Sequence, residues 1–109
     1  VHTVLKGART VTADPGGAIY INPTGNAGMA SGGMGDVLTG LIAGLLVQGL
    51  SPEAAAQTGV YLHGAAADLL ASDLGPCGYL ASEVMDALPE TIQHLLDARR
   101  AHVTLAPVI

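Results

Sequence analysis

The sequence is poor in charge and in large aromatic side chains, which most free-standing soluble domains contain. It holds no Phe, no Trp and only 12% charged residues, against about 25% in an average soluble protein. Half of its 109 residues are nevertheless hydrophobic. We therefore expect more apolar surface than the chain can bury alone, so that residues 1–109 form a single partial domain or one subunit of a homo-oligomer. The alternative is a complete, alanine-rich domain with a core of small residues.

Basic residues and cysteine are also scarce, and this excludes several classes of protein. Four Lys and Arg against nine Asp and Glu give a net charge of −5, so no basic stripe is available to bind nucleic acid or an acidic membrane surface. The longest apolar run, residues 37–47, is too short to cross a bilayer. The single Cys77 cannot form an intrachain disulfide, which is consistent with a reducing cytoplasm. We expect a cytoplasmic protein that acts on small molecules.

The order of local patterns predicts an α/β fold, with a few short strands followed by long buried helices. Short β-branched segments predict strands at residues 3–6, 10–13 and 18–21, with a turn at 14–17. Apolar and alanine-rich segments predict helices at residues 36–48, 52–71, 83–88 and from Pro89 to about 99. The first of these helices has no polar face and should be buried on most sides. The tail at 103–109 is either an edge strand or disordered.

A glycine-rich loop before the first helix is the strongest candidate for a functional site. Gly32, Gly33 and Gly35 can turn backbone N–H groups toward one point, and the start of a helix adds partial positive charge there. Such a nest suits the oxygens of a phosphoryl group. Asp36, which follows, either caps the helix or acts as a general base beside the phosphate. The spacing alone leaves both open, and it matches neither a Walker A loop nor a dinucleotide fingerprint.

Other polar positions are individually ambiguous. Lys6, at the end of the first predicted strand, is able to reach a phosphate at the sheet edge or is simply solvated. The polar turn at 22–26, Asn-Pro-Thr-Gly-Asn, binds a ligand through its amides or only shapes the loop. His63, Asp68 and Cys77 show no metal-ligand spacing, so no metal ligand is assigned.

Three segments together resemble a known family. They read VLKGARTV, then DPGGAIYINPTGNAGMASGGMGDVLTGLIAGLL, then GLSPEAAAQTGVYLHGAAAD. Over residues 4 to about 88 they resemble the C-terminal part of the ADP/ATP-dependent NAD(P)H-hydrate dehydratases, which have a ribokinase-like layered fold. The wider group of ribokinase-like kinases usually has Ala where this chain has Met34. The resemblance implies that the N-terminal part of the domain is absent from this chain.

The resemblance implies an enzyme, a hydro-lyase of metabolite repair. Its substrate is NADH or NADPH that has added water across the nicotinamide ring, and ADP or ATP is the co-substrate. Phosphorylation of the ring hydroxyl makes a good leaving group, and elimination restores NAD(P)H. A divalent cation, Mg²⁺, is expected to neutralise the phosphates. The chain does not indicate whether ADP or ATP is preferred.

The resemblance also assigns roles to particular residues. The segment that matches the family's nucleotide-phosphate contacts is Lys6, Gly7, Ala8, Arg9 and Thr10. Gly33 and Gly35 are expected at the nucleotide phosphates, with the Gly35 amide as a donor. Asp36 is expected to contact the hydrated ring and to act as the catalytic base. Asn22 and Asn26 match the loop on the nucleotide side.

Two alternatives to the dehydratase remain at this stage. One is a ribokinase-like kinase that phosphorylates a sugar or vitamin alcohol, because the Gly-x-Gly-Asp pattern at 33–36 is shared with such enzymes. The other is a non-catalytic nucleotide-binding fragment, which the low charge and the absent N-terminal part favour. The Lys6-Gly7 pair and the turn at 22–26 favour the dehydratase over the kinase.

Overall fold

A small antiparallel sheet followed by helices forms the chain. The computed structural model describes residues 1–7 and 9–105, with side chains described to residue 100. Within these residues the elements are β1 (Thr3–Leu5), β2 (Val11–Ala13), β3 (Ile19–Ile21), a short 3-10 turn (Ala27–Met29), α1 (Met34–Val47), α2 (Pro52–Leu74) and α3 (Ala81–Leu105). The predicted α/β class is confirmed.

The sheet is antiparallel throughout, in the order β1-β2-β3. Because side chains alternate between the faces of a strand, Thr12 of β2 is buried on the side that packs against α2. Leu5 and Ile21 stand on the opposite face, and Leu5 is 68% exposed. In the part of the chain that the structure describes, the helices therefore cover one face of the sheet only.

Helix α2 is the centre of the fold, and both other helices pack against it. It begins as expected, since Ser51 Oγ accepts a hydrogen bond from the Ala54 amide at 3.2 Å and Pro52 occupies the first turn. Its small residues allow close packing: a Cβ on Gly59 would lie 2.6 Å from Ile42 Cγ1. The buried core cluster lies where α1, α2 and α3 meet and comprises Met34, Ala66, Ala67, Tyr79, Val84 and Ala87.

The prediction that helix α1 is buried on most sides is wrong. It runs from Met34 to Val47, against the predicted 36–48, and only Met34 and Leu38 are buried along it. Leu46 is exposed, and Val47 is 88% exposed. Since α2 and the start of α3 are the helices that pack on α1 in the described structure, the apolar residues on its other side remain open to solvent.

Helix α3 is longer and more continuous than the sequence indicated. It spans Ala81–Leu105 with Pro89 inside it, so two predicted helices are one. Leu80 precedes the first turn, and its N–H donates to Glu83 Oε1 at 2.8 Å, in the manner of a capping box. Residues 103–105 are helical, so they form neither a strand nor a disordered tail, and residues 106–109 lie outside the described residues.

Candidate functional site

A cavity of about 870 Å³ lies between the sheet edge, the loop that follows β3, the N-terminal turn of α1 and the middle of α2. It brings together Gly32 of the glycine-rich loop and five of the residues to which the resemblance assigned roles, namely Lys6, Gly7, Thr10, Asn22 and Asn26. Residues from four separate parts of the chain therefore meet around one space.

The loop at residues 22–26 rests directly on α2. Asn22 is only 3% exposed, and its Nδ2 donates to the carbonyl and hydroxyl oxygens of Thr24 at 3.0 Å. The Thr24 hydroxyl in turn donates to the Tyr61 carbonyl on α2 at 2.9 Å. Beneath the loop, a Cβ on Gly64 would lie 2.7 Å from the Thr24 carbonyl carbon and 2.8 Å from the Gly25 nitrogen. Only glycine at position 64 allows this approach.

A second set of hydrogen bonds fastens the other end of that loop. Asp68 on α2 accepts from the Gly25 amide at 3.0 Å and from Asn26 Nδ2 at 2.8 Å. Asn26 Oδ1 accepts from the Gly28 amide at 3.0 Å and from the Tyr79 hydroxyl. Burial raises the pKa of Tyr79 above its ordinary value, so the phenol stays a donor. The side chains of Asn22 and Asn26 thus shape the loop, and their contact with a nucleotide stays a prediction.

The glycine-rich loop at residues 31–36 is built differently. Gly33 is the residue that precedes α1, its φ of 89° lies in the left-handed region, and no side chain caps this end of the helix. Asp36 is exposed in the first turn, and its carboxylate makes no hydrogen bond with any residue that the structure describes. Asp36 therefore does not cap α1 through a hydrogen bond, and its role as a base stays a prediction.

Lys6 connects two segments that the sequence singled out, the end of the first strand and the glycine-rich loop before α1. A Cβ on Gly35 would overlap Lys6 Nζ, so the ammonium group lies directly against the first turn of α1. A cation at the positive end of a helix is unfavourable unless an anion lies between or beside the two. The arrangement therefore suits a phosphate group, and a phosphate bound there would lie next to the turn that carries Asp36.

Not every predicted site residue reaches the cavity wall. Gly33, Gly35 and Asp36 form the turn that borders it rather than its described lining, and Arg9 is exposed outside it. Ala8 lies outside the described residues. Their predicted roles at the nucleotide stay predictions.

His63 is the lining residue that sequence reasoning did not assign. Its side chain is buried, at 4% exposure, and Nε2 has no hydrogen-bond partner among the described residues. Burial lowers the pKa of His63, the charge of Lys6 lowers it further, and a hydrogen bond with the Met34 backbone acts in the opposite direction. The ring is therefore neutral near pH 7 while no ligand is bound.

Comparison with known proteins gives a family. The NAD(P)H-hydrate dehydratase family matches residues 1–90. The chain belongs to this family. It is 56% identical over 92 residues to the bifunctional NAD(P)H-hydrate repair enzyme Nnr of Moorella thermoacetica, covering 84% of this chain and 17% of that enzyme. It is 48% identical over 86 residues to the ADP-dependent (S)-NAD(P)H-hydrate dehydratase of Bacillus subtilis, covering 79% and 31%.

A solved structure of the same family confirms the ribokinase-like fold prediction for this chain. The ADP/ATP-dependent NAD(P)H-hydrate dehydratase from Bacillus subtilis, co-crystallised with ATP and Mg²⁺, superposes with a TM-score of 0.82 at 44% identity. The likeness covers 85% of this chain and 34% of that one. The chain thus spans between about a sixth and a third of the length of these dehydratase relatives.

The site residues that sequence reasoning missed in this dehydratase-family chain have no local signature. Asp68 and Tyr79 contact a loop 42 to 53 residues earlier, and nothing near them in the sequence marks that contact. His63 was considered only as a metal ligand, for which its spacing is wrong.

The described side chains favour phosphate over a directly held metal ion. Lys6 and His63 are the titratable residues of the described cavity lining, which contains no carboxylate. Among the described residues, no group of three or more His, Cys, Asp or Glu side chains is placed to hold a metal ion. Also within them, no helix has both the length and the apolar character needed to traverse a bilayer.

Proposed function

We propose that this chain carries the phosphate site and the base of an ADP- or ATP-dependent NAD(P)H-hydrate dehydratase. The observation that carries the proposal is the contact between Lys6 Nζ and Gly35, at the helix turn that also presents the unbonded Asp36 carboxylate. The names of the relatives support the choice of reaction, since they are dehydratases and repair enzymes of hydrated NAD(P)H.

In the proposed mechanism the cationic end of the cavity binds the nucleotide phosphates. The Lys6–Thr10 segment and the Gly33 and Gly35 amides hold the phosphate oxygens, and the positive end of α1 adds to their attraction. Mg²⁺, when bound, would neutralise further phosphate charge. Because no described carboxylate cluster suits it, we expect the nucleotide phosphates to be its main ligands.

Asp36 then acts on the hydrated ring. Its carboxylate takes the proton of the ring hydroxyl while that oxygen attacks the terminal phosphorus, and the nucleotide leaves one phosphate shorter. The C–O bond next breaks, with phosphate as the leaving group and loss of a proton from the neighbouring ring carbon. The double bond that forms restores the dihydronicotinamide. An exposed, unpaired carboxylate is suited to this role because nothing in the described structure competes for it.

A second part of the proposal concerns the source of the rest of the site and the location of the protein in the cell. We propose that the rest of the site comes from further parts of the same domain or from a second copy, because Leu5, Ile19 and Ile21 leave one sheet face apolar and exposed. We also propose a cytoplasmic location, which the exposed and free thiol of Cys77 supports. The relatives' greater length is consistent with additional chain around this unit.

An assay of the whole protein on hydrated NADH and NADPH tests the proposed function. We expect the absorbance of the dihydronicotinamide to recover only when ADP or ATP and Mg²⁺ are present. Separate reactions with ADP and with ATP establish the preferred nucleotide. Phosphorylation of an alcohol without recovery of NAD(P)H would replace the proposal with a kinase. Nucleotide binding without any turnover would replace it with a non-catalytic binding module.

A further inference from the structure

One side chain in the cavity has an unused hydrogen-bonding atom. His63 is buried on α2, and its Nε2 has no partner among the described residues although the side chain is only 4% exposed. Buried polar atoms are usually paired, and an unpaired one calls for a ligand or water. His63 lines the cavity, so a ligand there is in a position to supply the missing partner.

The surroundings of His63 define the chemistry of that partner. The ring lies close enough to Lys6 for the ammonium charge to act on it, and it meets the Met34 backbone at the first turn of α1. No carboxylate belongs to the described lining of the cavity. A cation, the positive end of a helix and an imidazole therefore face the same space, and an anion with several oxygens complements all three.

The ring is also fixed in place. The next residue, Gly64, lies against the backbone of Thr24 and Gly25, so the loop at 22–26 closes over this part of α2. Asn22 Nδ2 reaches the Val60 carbonyl, one turn before His63, at 3.4 Å. Because α2 and the loop are held together on both sides of His63, a ligand contact there requires little reorganisation.

We propose that a phosphate group of the bound ligand brings a proton from solvent onto the His63 ring, so that Nε2–H donates a hydrogen bond to a phosphate oxygen. The other ring nitrogen keeps its hydrogen bond with the Met34 backbone, and His63 and Lys6 hold one phosphate group from two sides. The inference rests on the proposed function for the identity of the ligand and adds a binding residue from α2 to it. Two sources can supply such a phosphate: the adenine nucleotide co-substrate, or the pyrophosphate of the dinucleotide substrate. His63 is a binding residue in this proposal, and it takes no part in bond making or breaking.

Binding measurements on the whole protein test the proposal with three variants. His63→Leu keeps the volume without the ring nitrogens, and we expect it to weaken the binding of ADP–Mg²⁺ or of NADH about 10- to 100-fold, as for a lost hydrogen bond to a charged group. His63→Gln keeps an N–H donor and should restore part of that loss. His94→Leu, on the exposed side of α3, should bind as the unaltered protein does.

Titration calorimetry with ADP–Mg²⁺ and, separately, with NADH shows which ligand supplies the phosphate. In parallel, ¹⁵N-histidine NMR of the unaltered protein reports the His63 ring directly, and its Nε2 signal should shift on addition of the ligand or of inorganic phosphate. A folded His63→Leu variant with unchanged affinity for both ligands would overturn the proposal. If that variant does not fold, a His63 ring signal that none of the three additions moves would overturn it as well.

Failure of the proposed function is distinguishable from failure of this inference. If the protein binds ADP–Mg²⁺ through His63 but restores no NAD(P)H, the phosphate contact stands and the dehydratase mechanism fails. If turnover is normal and neither ligand nor phosphate affects His63, the dehydratase stands and the contact fails.

Discussion

Two loops border the same cavity, and they are held in opposite ways. The anchored loop, residues 22–26, is tied to α2 by side-chain hydrogen bonds from Asn22, Thr24 and Asp68. The glycine loop, residues 31–36, has no side-chain cap, and neither the Ser31 nor the Asp36 side chain forms a hydrogen bond within the described structure. The anchored loop is therefore stabilised by hydrogen bonds within the protein. The glycine loop presents backbone amides and the Asp36 carboxylate, which are available to a ligand.

Because of this difference, we expect the anchored loop to contribute mainly to stability and the glycine loop mainly to ligand binding and turnover. The polar groups of the anchored loop are already hydrogen-bonded within the protein, so fewer of them are available to a ligand. We therefore expect substitutions there to change the free energy of unfolding first. Apart from Met34, which is buried in the core cluster, the glycine loop is exposed or half-buried and its side chains make no hydrogen bonds in the described structure. Substitutions at these other positions should therefore change binding and turnover first. Each prediction below tests one side of this contrast.

The largest effect is expected for Asp36→Asn in the glycine loop. Removing the base should lower turnover of hydrated NAD(P)H by about 10²- to 10⁴-fold, while the free energy of unfolding changes by no more than about 0.5 kcal/mol, because the carboxylate has no described partner. Steady-state kinetics and urea unfolding measure the two quantities. Asp73→Asn, an exposed carboxylate near the end of α2, is the control and should leave both unchanged. An unaltered rate in folded Asp36→Asn would show that the residue is not the base.

The second effect is expected for Gly64→Ala beneath the anchored loop. The added methyl group would meet the backbone of Thr24 and Gly25 at 2.7 and 2.8 Å, and backbone atoms move only with the whole loop. We expect a loss of about 1–3 kcal/mol in the free energy of unfolding, as for an overpacked core.

Gly40→Ala provides the matched control for that substitution. Gly40 also lies inside a helix, but nothing lies within 4 Å of an added Cβ. Since alanine is the better helix former, this variant should gain up to about 1 kcal/mol. Equal destabilisation by both substitutions would show that helix propensity or the unfolded state, rather than contact with the loop, governs the result.

The third and smaller effect is expected for Asp68→Ala. Its two carboxylate oxygens accept hydrogen bonds from Gly25 and Asn26, but the side chain is exposed and water is able to replace part of that bonding. We therefore expect a loss of about 1 kcal/mol in unfolding free energy, with turnover affected only as far as the loop shifts. Ser31→Ala in the glycine loop should change stability by less than about 0.5 kcal/mol. A larger loss for Ser31→Ala than for Asp68→Ala would contradict the contrast between the loops.

The features that could be predicted from sequence were those with local causes. The β-branched segments and the Ser51-Pro52 start of α2 depend on neighbouring residues, and the structure confirms them. The continuity of α3 was missed because Pro89 usually ends or kinks a helix. Here the helix continues past it, with Val84, Ala87 and Thr91 buried along its length.

For the site as well, features with local causes could be predicted from sequence, and features that depend on distant residues could not. Glycine after a lysine and glycine before an aspartate are visible in the sequence, and the family resemblance assigned both segments to the nucleotide phosphates, which stays a prediction. The contact between Lys6 Nζ and Gly35 is seen only in the structure. The partners of Asn26 were not predictable, because Asp68 and Tyr79 lie 42 and 53 residues away. Burial of His63 likewise depends on how a distant loop covers α2, which no local pattern encodes.

The smallest effect on the free energy of unfolding is expected for a change in pH. It acts on His63, between the two loops, and needs no substitution. His63 lies between them, and burial together with Lys6 lowers its pKa in the folded protein below the ordinary value of 6.5. Well above pH 6.5 neither the folded nor the unfolded state protonates this ring, so its contribution to stability is full there. As the pH falls below 6.5, the unfolded chain binds a proton that the folded one does not, and the free energy of unfolding decreases.

Unfolding of the ligand-free protein and of His63→Gln, measured side by side between about pH 7.5 and pH 5, isolates this contribution. Groups that titrate in both proteins cancel in the difference, so the unaltered protein should lose stability more steeply toward low pH than the variant. The difference should vanish above pH 6.5 apart from a constant offset. Parallel curves over the whole range would mean that the ring is readily protonated in the folded state, and His63 would then lie in contact with water rather than closed in by α2 and the anchored loop.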